Sequence, residues 1–297
     1  MTNPFEQLKN KEKSKGFKFD IEKWMNESSK PKKSSICALF VGHPKTGKTG
    51  CALDCRTDED KKQHKKIIAI ELNSDQGCEI NKKIHHNDDP DIIVLNPREY
   101  SLDENGEWQP DYIKTMAKIK ALIQYIRDSL GELNLKALVF DGLDIFLSEI
   151  CEAQMRIDEH IDVSGGVSMR FWKKRNEYYY KILNMIFDID VDKYFITHYA
   201  ERRRDDNTGE YTDDRTPSKL NPNLVYACQK STADKMHQIV EFTDETKVVS
   251  GVMHRKLTAT IISDRRSLKE HMKPILIAEV EGDKVKWSGQ AILERGE

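Results

Sequence analysis

The stretch Gly42-His43-Pro44-Lys45-Thr46-Gly47-Lys48-Thr49 decides the reading of this chain. It satisfies GxxxxGK[ST] in full, directly after the apolar run Ile36-Cys37-Ala38-Leu39-Phe40-Val41 and directly before a short helical pattern from Gly50 to Asp54. Gly42 and Gly47 let such a loop turn sharply enough for successive backbone N–H groups to face one phosphate. The helix N-terminus adds the positive end of its dipole at the same point. His43, Pro44, Lys45, Thr46 and Gly50 are expected to complete the nucleotide cradle with the residues already named. Lys48 is expected to reach the β and γ phosphates of ATP, and the Thr49 hydroxyl to take one position of an octahedral Mg²⁺.

The run before the loop does not alternate, the mark of a strand buried on both faces in a parallel sheet. Similar runs recur at residues 67–70, 92–95, 137–140 and 194–197. Between them, Tyr112, Met116, Ile119, Ile123, Ile126 and Leu130 alternate four and three apart, which predicts a helix stopping at Gly131. Met169, Trp172, Tyr179, Leu183 and Ile186 predict a second helix buried along one face. Strands alternating with helices predict an α/β fold with a mainly parallel sheet flanked by helices. Past residue 237, strand-like runs at 239–242, 247–252, 257–262, 275–280 and 284–287 predict antiparallel strands that extend this sheet near the C-terminus. Residues 1–34, polar, Lys-rich and ending in the tract SSKPKKSS, are expected to be a flexible arm with one short amphipathic piece. Residues 35–297 then form one domain.

The second half of a phosphate-loop site is a carboxylate at the end of a buried strand, and Ala137-Leu138-Val139-Phe140-Asp141 supplies it. Asp141 is expected to hold Mg²⁺ through a water; its alternative use is to cap the next helix. Asp144, three residues on, is read either as a cap for a helix over 145–156 or as a group that helps to order water. Hydrolysis also needs a group that orients and deprotonates water. Ile70-Glu71-Leu72-Asn73-Ser74-Asp75 closes the strand after the loop helix and offers Glu71 and Asp75, either of which suits the role.

Apolar residues make up 38% of the 297 and charged ones 33%, against globular averages of about 45–50% and about 25%. No run approaches the roughly 18 apolar residues of a membrane span, and the N-terminal stretch lacks the apolar core of a secretory signal, so a cytoplasmic address with no membrane partner is expected. With 48 Lys and Arg against 50 Asp and Glu, no bulk positive field draws nucleic acid to the whole surface. Any such site must be local. Cys37, Cys51, Cys55, Cys78, Cys151 and Cys228 form no CxxC pair and read as reduced, buried thiols. His85, His86, Asp88 and Asp89 lack metal-ligand spacing and read as a solvated turn.

GHPKTGKT at the loop, LVFDGLD at the Asp141 strand, the helix FWKKRNEYYYKIL and the strand end FITHYAE occur in an order that resembles the RecA-type ATPase core. More closely, the chain resembles the compact RecA-like ATPases of phages and archaea, often encoded beside single-strand annealing proteins. The resemblance covers roughly residues 36–266. It implies Mg²⁺-dependent ATP hydrolysis between subunits of a ring or filament, and action on single-stranded DNA in recombination, replication or repair, with an annealing or replication protein as a further partner. It also implies that Thr197 and His198, at a strand end, sense the γ-phosphate. RecA-type cores place a catalytic Glu two residues beyond the position of Glu71, where this chain has Asn73.

Two loops fall where RecA-type proteins touch DNA. Residues 158–167 (DEHIDVSGGV) are acidic, which suits phosphate contact poorly. Residues 199–220 carry Arg202, Arg203, Arg204, Arg215 and Lys219, with Tyr199 and Tyr211 available to stack on a base. The same arginines have Asp205, Asp206, Asp213 and Asp214 as internal partners. Arg265 and Arg266 resemble the place of a cation supplied to a neighbouring subunit's nucleotide. Two other functions remain open: a hexameric helicase or translocase, and a nucleotide-gated adaptor that binds ATP, hydrolyses little and recruits a protein.

Overall fold

A computed structural model describes residues 35–162, 168–205, 208–212, 215–265, 273–282 and 284–287. The expected arm, residues 1–34, lies outside them, as do residues 163–167 of the acidic loop and Arg266.

Strand β1 (Cys37–Gly42) is buried at every position and runs into the phosphate loop and helix α1 (Lys48–Leu53). Helix α2 (Asp58–Lys62) follows, opened by a capping box between Thr57 and Asp60. Then come β2 (Lys66–Glu71), α3 (Gly77–His85), β3 (Ile92–Leu95) and a small hairpin of β4 (Tyr100–Leu102) and β5 (Trp108–Pro110). Helix α4 (Tyr112–Asp128) starts at Asp111, whose side chain accepts from the Lys114 N–H. It buries Met116, Ile119, Ile123 and Ile126, the stripe that the spacing predicts.

Gly131 does not stop this helix. The α-helical ladder ends at Ser129, a one-turn helix α5 (Leu130–Leu133) passes through Gly131, and Asn134 takes the left-handed terminal position at φ 47°. Asn tolerates that conformation. Here its side chain also donates to the carbonyls of Gln63 and His64, tying the turn to the end of α2.

Strand β6 (Leu135–Asp141) leads through Gly142 into α6 (Leu143–Ile145), a π-helical turn at Phe146–Cys151, and α7 (Glu152–Asp158). The single helix expected over 145–156 is thus interrupted. Helix α8 (Met169–Phe187) precedes β7 (Asp192–Thr197), after which come β8 (Tyr199–Glu201), β9 (Leu224–Tyr226) and α9 (Lys230–Lys235). On α8 the buried face begins at Tyr179; Trp172 is 38% exposed, because the first turns project past the core, and the Arg175 guanidinium lies over its ring.

Strands β10 (Gln238–Val249), β11 (Val252–Asp264), β12 (Ile275–Glu281) and β13 (Lys284–Trp287) complete the described chain. Four strands stand where five runs were expected, since 239–242 and 247–249 belong to one strand whose second half, residues 244–249, is the exposed part of a long hairpin. Among the described residues the main sheet has nine strands in the order β13-β12-β11-β10-β1-β7-β6-β2-β3. The run from β10 through β3 is parallel, and β11, β12 and β13 add antiparallel. This is the α/β architecture expected from the sequence, with the extra strands on the same sheet.

One face of the sheet packs on α4, the π turn and α8, through residues such as Ile119, Phe146, Tyr179 and Leu183. The other packs on α1 through Cys51 and Leu53, joined in the same cluster by Leu257, Ala259 and Ile277 of the sheet's antiparallel strands. At about 25 cal/mol per Å² of apolar surface removed from water, these two layers fix the sheet and hold the ends of β1, β6 and β7 together. No described helix is long and apolar enough to cross a membrane. All six cysteines are buried and none is in a disulfide, as read.

Candidate nucleotide site

The loop after β1 is built as the motif requires. Gly47 has φ 88°, the left-handed region that favours glycine, and caps α1 with its own carbonyl accepting from the Cys51 N–H at 3.0 Å. At Gly42 a side chain is excluded by space: a Cβ would lie 2.7 Å from the Phe242 carbonyl oxygen and 2.8 Å from Thr46 Oγ1. His43, Pro44 and Lys45 form the exposed tip, with Lys45 at φ 64°. Thr46 is buried and donates its hydroxyl to the His43 carbonyl at 2.8 Å.

Lys48 is 4% exposed and donates its Nζ to the Gly42 and His43 carbonyls at 2.9 and 2.7 Å. Burial lowers its pKa to about 8, opposed by the charges of Asp141, Asp144 and Asp75. The ammonium is therefore held in the loop by the carbonyls a phosphate oxygen would compete with. Gly50 packs beneath Trp287, at the end of β13, whose indole donates to Asp54 and stacks on His85 at 5.3 Å.

The Thr49 hydroxyl donates to Asp141 Oδ2 at 2.7 Å. Asp141 is buried, and burial raises its pKa against the pull of Thr49 and Lys48. Gly142 occupies the cap of α6, so Asp141 is not a helix cap. A hydroxyl and a carboxylate meeting at the foot of the phosphate loop are hard oxygen donors of the kind Mg²⁺ takes. The residues present thus fit the metal, with Thr49 and Asp141 to hold it.

Glu71 stands opposite Asp141 in the parallel register of β2 and β6. It is 1% exposed, and its Oε1 accepts from the Cys78 N–H at 2.6 Å. Burial raises its pKa to about 7, against the Cys78 hydrogen bond and helped by repulsion from Asp141 and Asp75. Asp75 is exposed and accepts from the Gly77 N–H at 3.2 Å, an Asx-type contact at the start of α3. Asn73 touches the site: its Nδ2 donates to Asp141 Oδ1 at 2.9 Å.

Asp144 does not cap a helix by its side chain. It lies in the first turn of α6, and its Oδ2 is 2.8 Å from His198 Nδ1, while Oδ1 is buried and has no hydrogen-bond partner. His198 follows β7, the strand between the phosphate-loop strand and the Asp141 strand, where Thr197 pairs with Val41 and Ile196 with Asp141. Thr197 is fully buried and donates to the Ala227 carbonyl at 3.1 Å. The fold thus brings together Lys48, Thr49, Glu71, Asp141, Asp144 and His198, with Asp75 at the rim.

The basic loop is ordered by contacts the sequence did not suggest. The Arg202 and Arg204 guanidinium groups lie 3.8 and 4.5 Å from the centre of the Tyr211 ring, and Arg204 also donates to the Tyr211 hydroxyl and to Asn223. Tyr211 is thus engaged by two guanidinium groups while remaining 37% exposed. Arg203 is exposed, its carbonyl accepting from the Thr212 N–H. Asp206, Asp213 and Asp214 lie outside the described residues. The Arg265 side chain is exposed, and its N–H donates to the His237 carbonyl.

Sequence reasoning missed Glu241. This residue of β10 is fully buried and accepts from the hydroxyls of Tyr226, Tyr199 and Ser218 at 2.7, 2.8 and 2.6 Å, and from the Lys219 N–H at 2.8 Å. It anchors the 199–226 excursion, and Tyr199 in turn lies edge-on to His43 of the phosphate loop at 5.1 Å. A carboxylate inside the apolar run Ile239-Val240-Glu241-Phe242 was the available signal. The turn at His85 and His86 is not simply solvated either. His85 stacks on Trp287, burial lowers the His86 pKa to about 4, and Asp89 pairs with the buried Arg56. No cluster of three or more His, Cys, Asp and Glu placed to hold a metal occurs among the described residues.

No protein-family model matches the chain, and no curated protein matches it. Among solved structures the chain is similar to the KaiC-like protein PH0186 from the hyperthermophilic archaea Pyrococcus horikoshii OT3. The identity is 13% and the TM-score 0.46, over 84% of this chain and 88% of that one.

Proposed function

We propose that this chain binds ATP with Mg²⁺ at residues 42–50 and hydrolyses it. The observation that carries this reading is the junction of two distant segments at one point: Thr49, opening the loop helix, bonded to Asp141 at the end of a buried strand, beside a buried Lys48. A Gly-rich turn with no ligand has no use for that pairing. Mg²⁺, held through Thr49 and Asp141, would neutralise phosphate charge. The chain's own residues do the rest. Backbone N–H groups of the loop orient the phosphates, Lys48 exchanges its carbonyl partners for phosphate oxygens, and Asn73 fixes one oxygen of Asp141 so that the other faces Thr49.

Single-stranded DNA is the substrate we assign to the Arg202 to Arg204 loop, acting in recombination, replication or repair, with copies of the chain assembled as a ring or filament. Support comes from the order of motifs and from the link His43, Tyr199, Glu241, which ties that loop to the nucleotide site. A second reading, a nucleotide-gated adaptor, is favoured by Asn73 standing where a catalytic Glu is implied. ATPase rates with and without single-stranded DNA at two salt concentrations separate them. Salt-sensitive stimulation supports the DNA-coupled enzyme. ATP binding with no stimulation supports the adaptor.

A further inference from the structure

Activation of water is the step for which the expected carboxylates are poorly placed. Glu71 is closed off at 1% exposure with Oε1 committed to the Cys78 N–H, and Asp75 is turned to the start of α3. One other pair in the site has the chemistry. Asp144 Oδ2 and His198 Nδ1 are 2.8 Å apart, bridging 54 positions of sequence, with both side chains about a quarter exposed.

We infer that His198 accepts the proton of the attacking water and that Asp144 is its positioning residue; the inference rests on the ATPase reading above. A carboxylate bonded at Nδ1 fixes the proton on that nitrogen, which leaves the Nε2 lone pair free, and it stabilises the imidazolium once formed. His198 is placed for this by its strand. Thr197 pairs with Val41, and the His198 carbonyl accepts from the Ala227 N–H at 2.9 Å, so the residue is held at the strand end next to the start of the phosphate loop. Asp144 is placed by the left-handed Gly142, at φ 105°, which turns β6 into α6. The charged groups facing the pair are Asp141 at the end of β6 and Lys48 of α1.

Water gives a proton to His198 Nε2 while its oxygen forms a bond to the γ-phosphorus. The bond from that phosphorus to the bridging oxygen breaks, and ADP leaves with the electron pair. The imidazolium then returns its proton to solvent.

Sensing and proton transfer are separable at this position. His198→Gln keeps a polar group that can hydrogen-bond a phosphate but cannot take a proton at neutral pH. Its ATP affinity should match wild type, and its turnover should fall about a hundredfold or more, the usual scale of a general base. Asp144→Asn should lower kcat at least tenfold with KM unchanged, because the amide donates to Nδ1 and moves the ring proton to Nε2. Added imidazole should restore part of the turnover of His198→Gly, an effect that a merely structural role would not produce. Turnover of His198→Gln within a few-fold of wild type would overturn the inference and leave the ATPase reading intact. A wild-type chain that binds no ATP would overturn both.

Discussion

Lys48, Glu71 and Gly42 each carry a different kind of constraint. Lys48 is buried against two carbonyls, so Lys48→Ala removes the phosphate contact and should abolish ATP binding in a fluorescent-nucleotide titration, while thermal unfolding changes little. At Gly42 the constraint is space. Gly42→Ala pushes a methyl to 2.7 Å from the Phe242 carbonyl oxygen, and should lower both Tm and ATP affinity by shifting the loop off β10. Glu71 predicts a pH effect. Its folded pKa of about 7 lies above the ordinary 4.5, so the folded state holds the proton more tightly than the unfolded one. The stability this contributes is complete below about 4.5 and is lost as pH rises through about 7. Glu71→Gln should therefore flatten the fall in Tm across that window, measured without nucleotide; an unchanged slope would contradict the assignment.

At the scale of elements, legibility followed sequence distance. The phosphate loop, its flanking strand and the Asp141 strand are local patterns, and each was readable because one short segment carries the whole signal. The buried stripe of α4 was readable for the same reason, whereas its end was not. Gly131 gave the usual stop signal, but the left-handed turn was taken by Asn134, whose side chain finds the carbonyls of Gln63 and His64 about seventy positions away. Asp144 reads as a cap or a water-ordering group until His198 arrives from another strand as its partner, and the guanidinium groups of Arg202 and Arg204 over Tyr211 are likewise not announced by spacing along the chain.

Glu241 is the clearest case of such long-range dependence, since its partners come from the 199–226 excursion, which has little regular structure of its own. Glu241→Ala would strand several buried donors, at a cost on the order of 1–3 kcal/mol for each one left unpaired. Hydrogen exchange should show residues 216–226 opening while β1 and β6 stay protected. Protection of that excursion equal to wild type would mean that other contacts hold it.

For the whole molecule, the antiparallel strands do more than widen the sheet. They return Trp287 to Gly50, so the far edge of the sheet packs behind the helix that opens the nucleotide site. Trp287→Ala should lower Tm and loosen α1, and bound ATP should recover part of that loss by mass action. Nothing at the N-terminal end of the sequence reveals this closure, because Gly50 and Trp287 belong to opposite ends of the chain.

The central claim is that the Gly42 to Thr49 loop and Asp141 form a working ATP site. Its most direct test is release of phosphate from ATP by the wild-type chain, by Lys48→Ala and by Asp141→Asn, with Mg²⁺ and with a chelator. The account predicts turnover by wild type alone, and only with Mg²⁺. Equal phosphate release by wild type and Lys48→Ala, or turnover indifferent to the chelator, would contradict it.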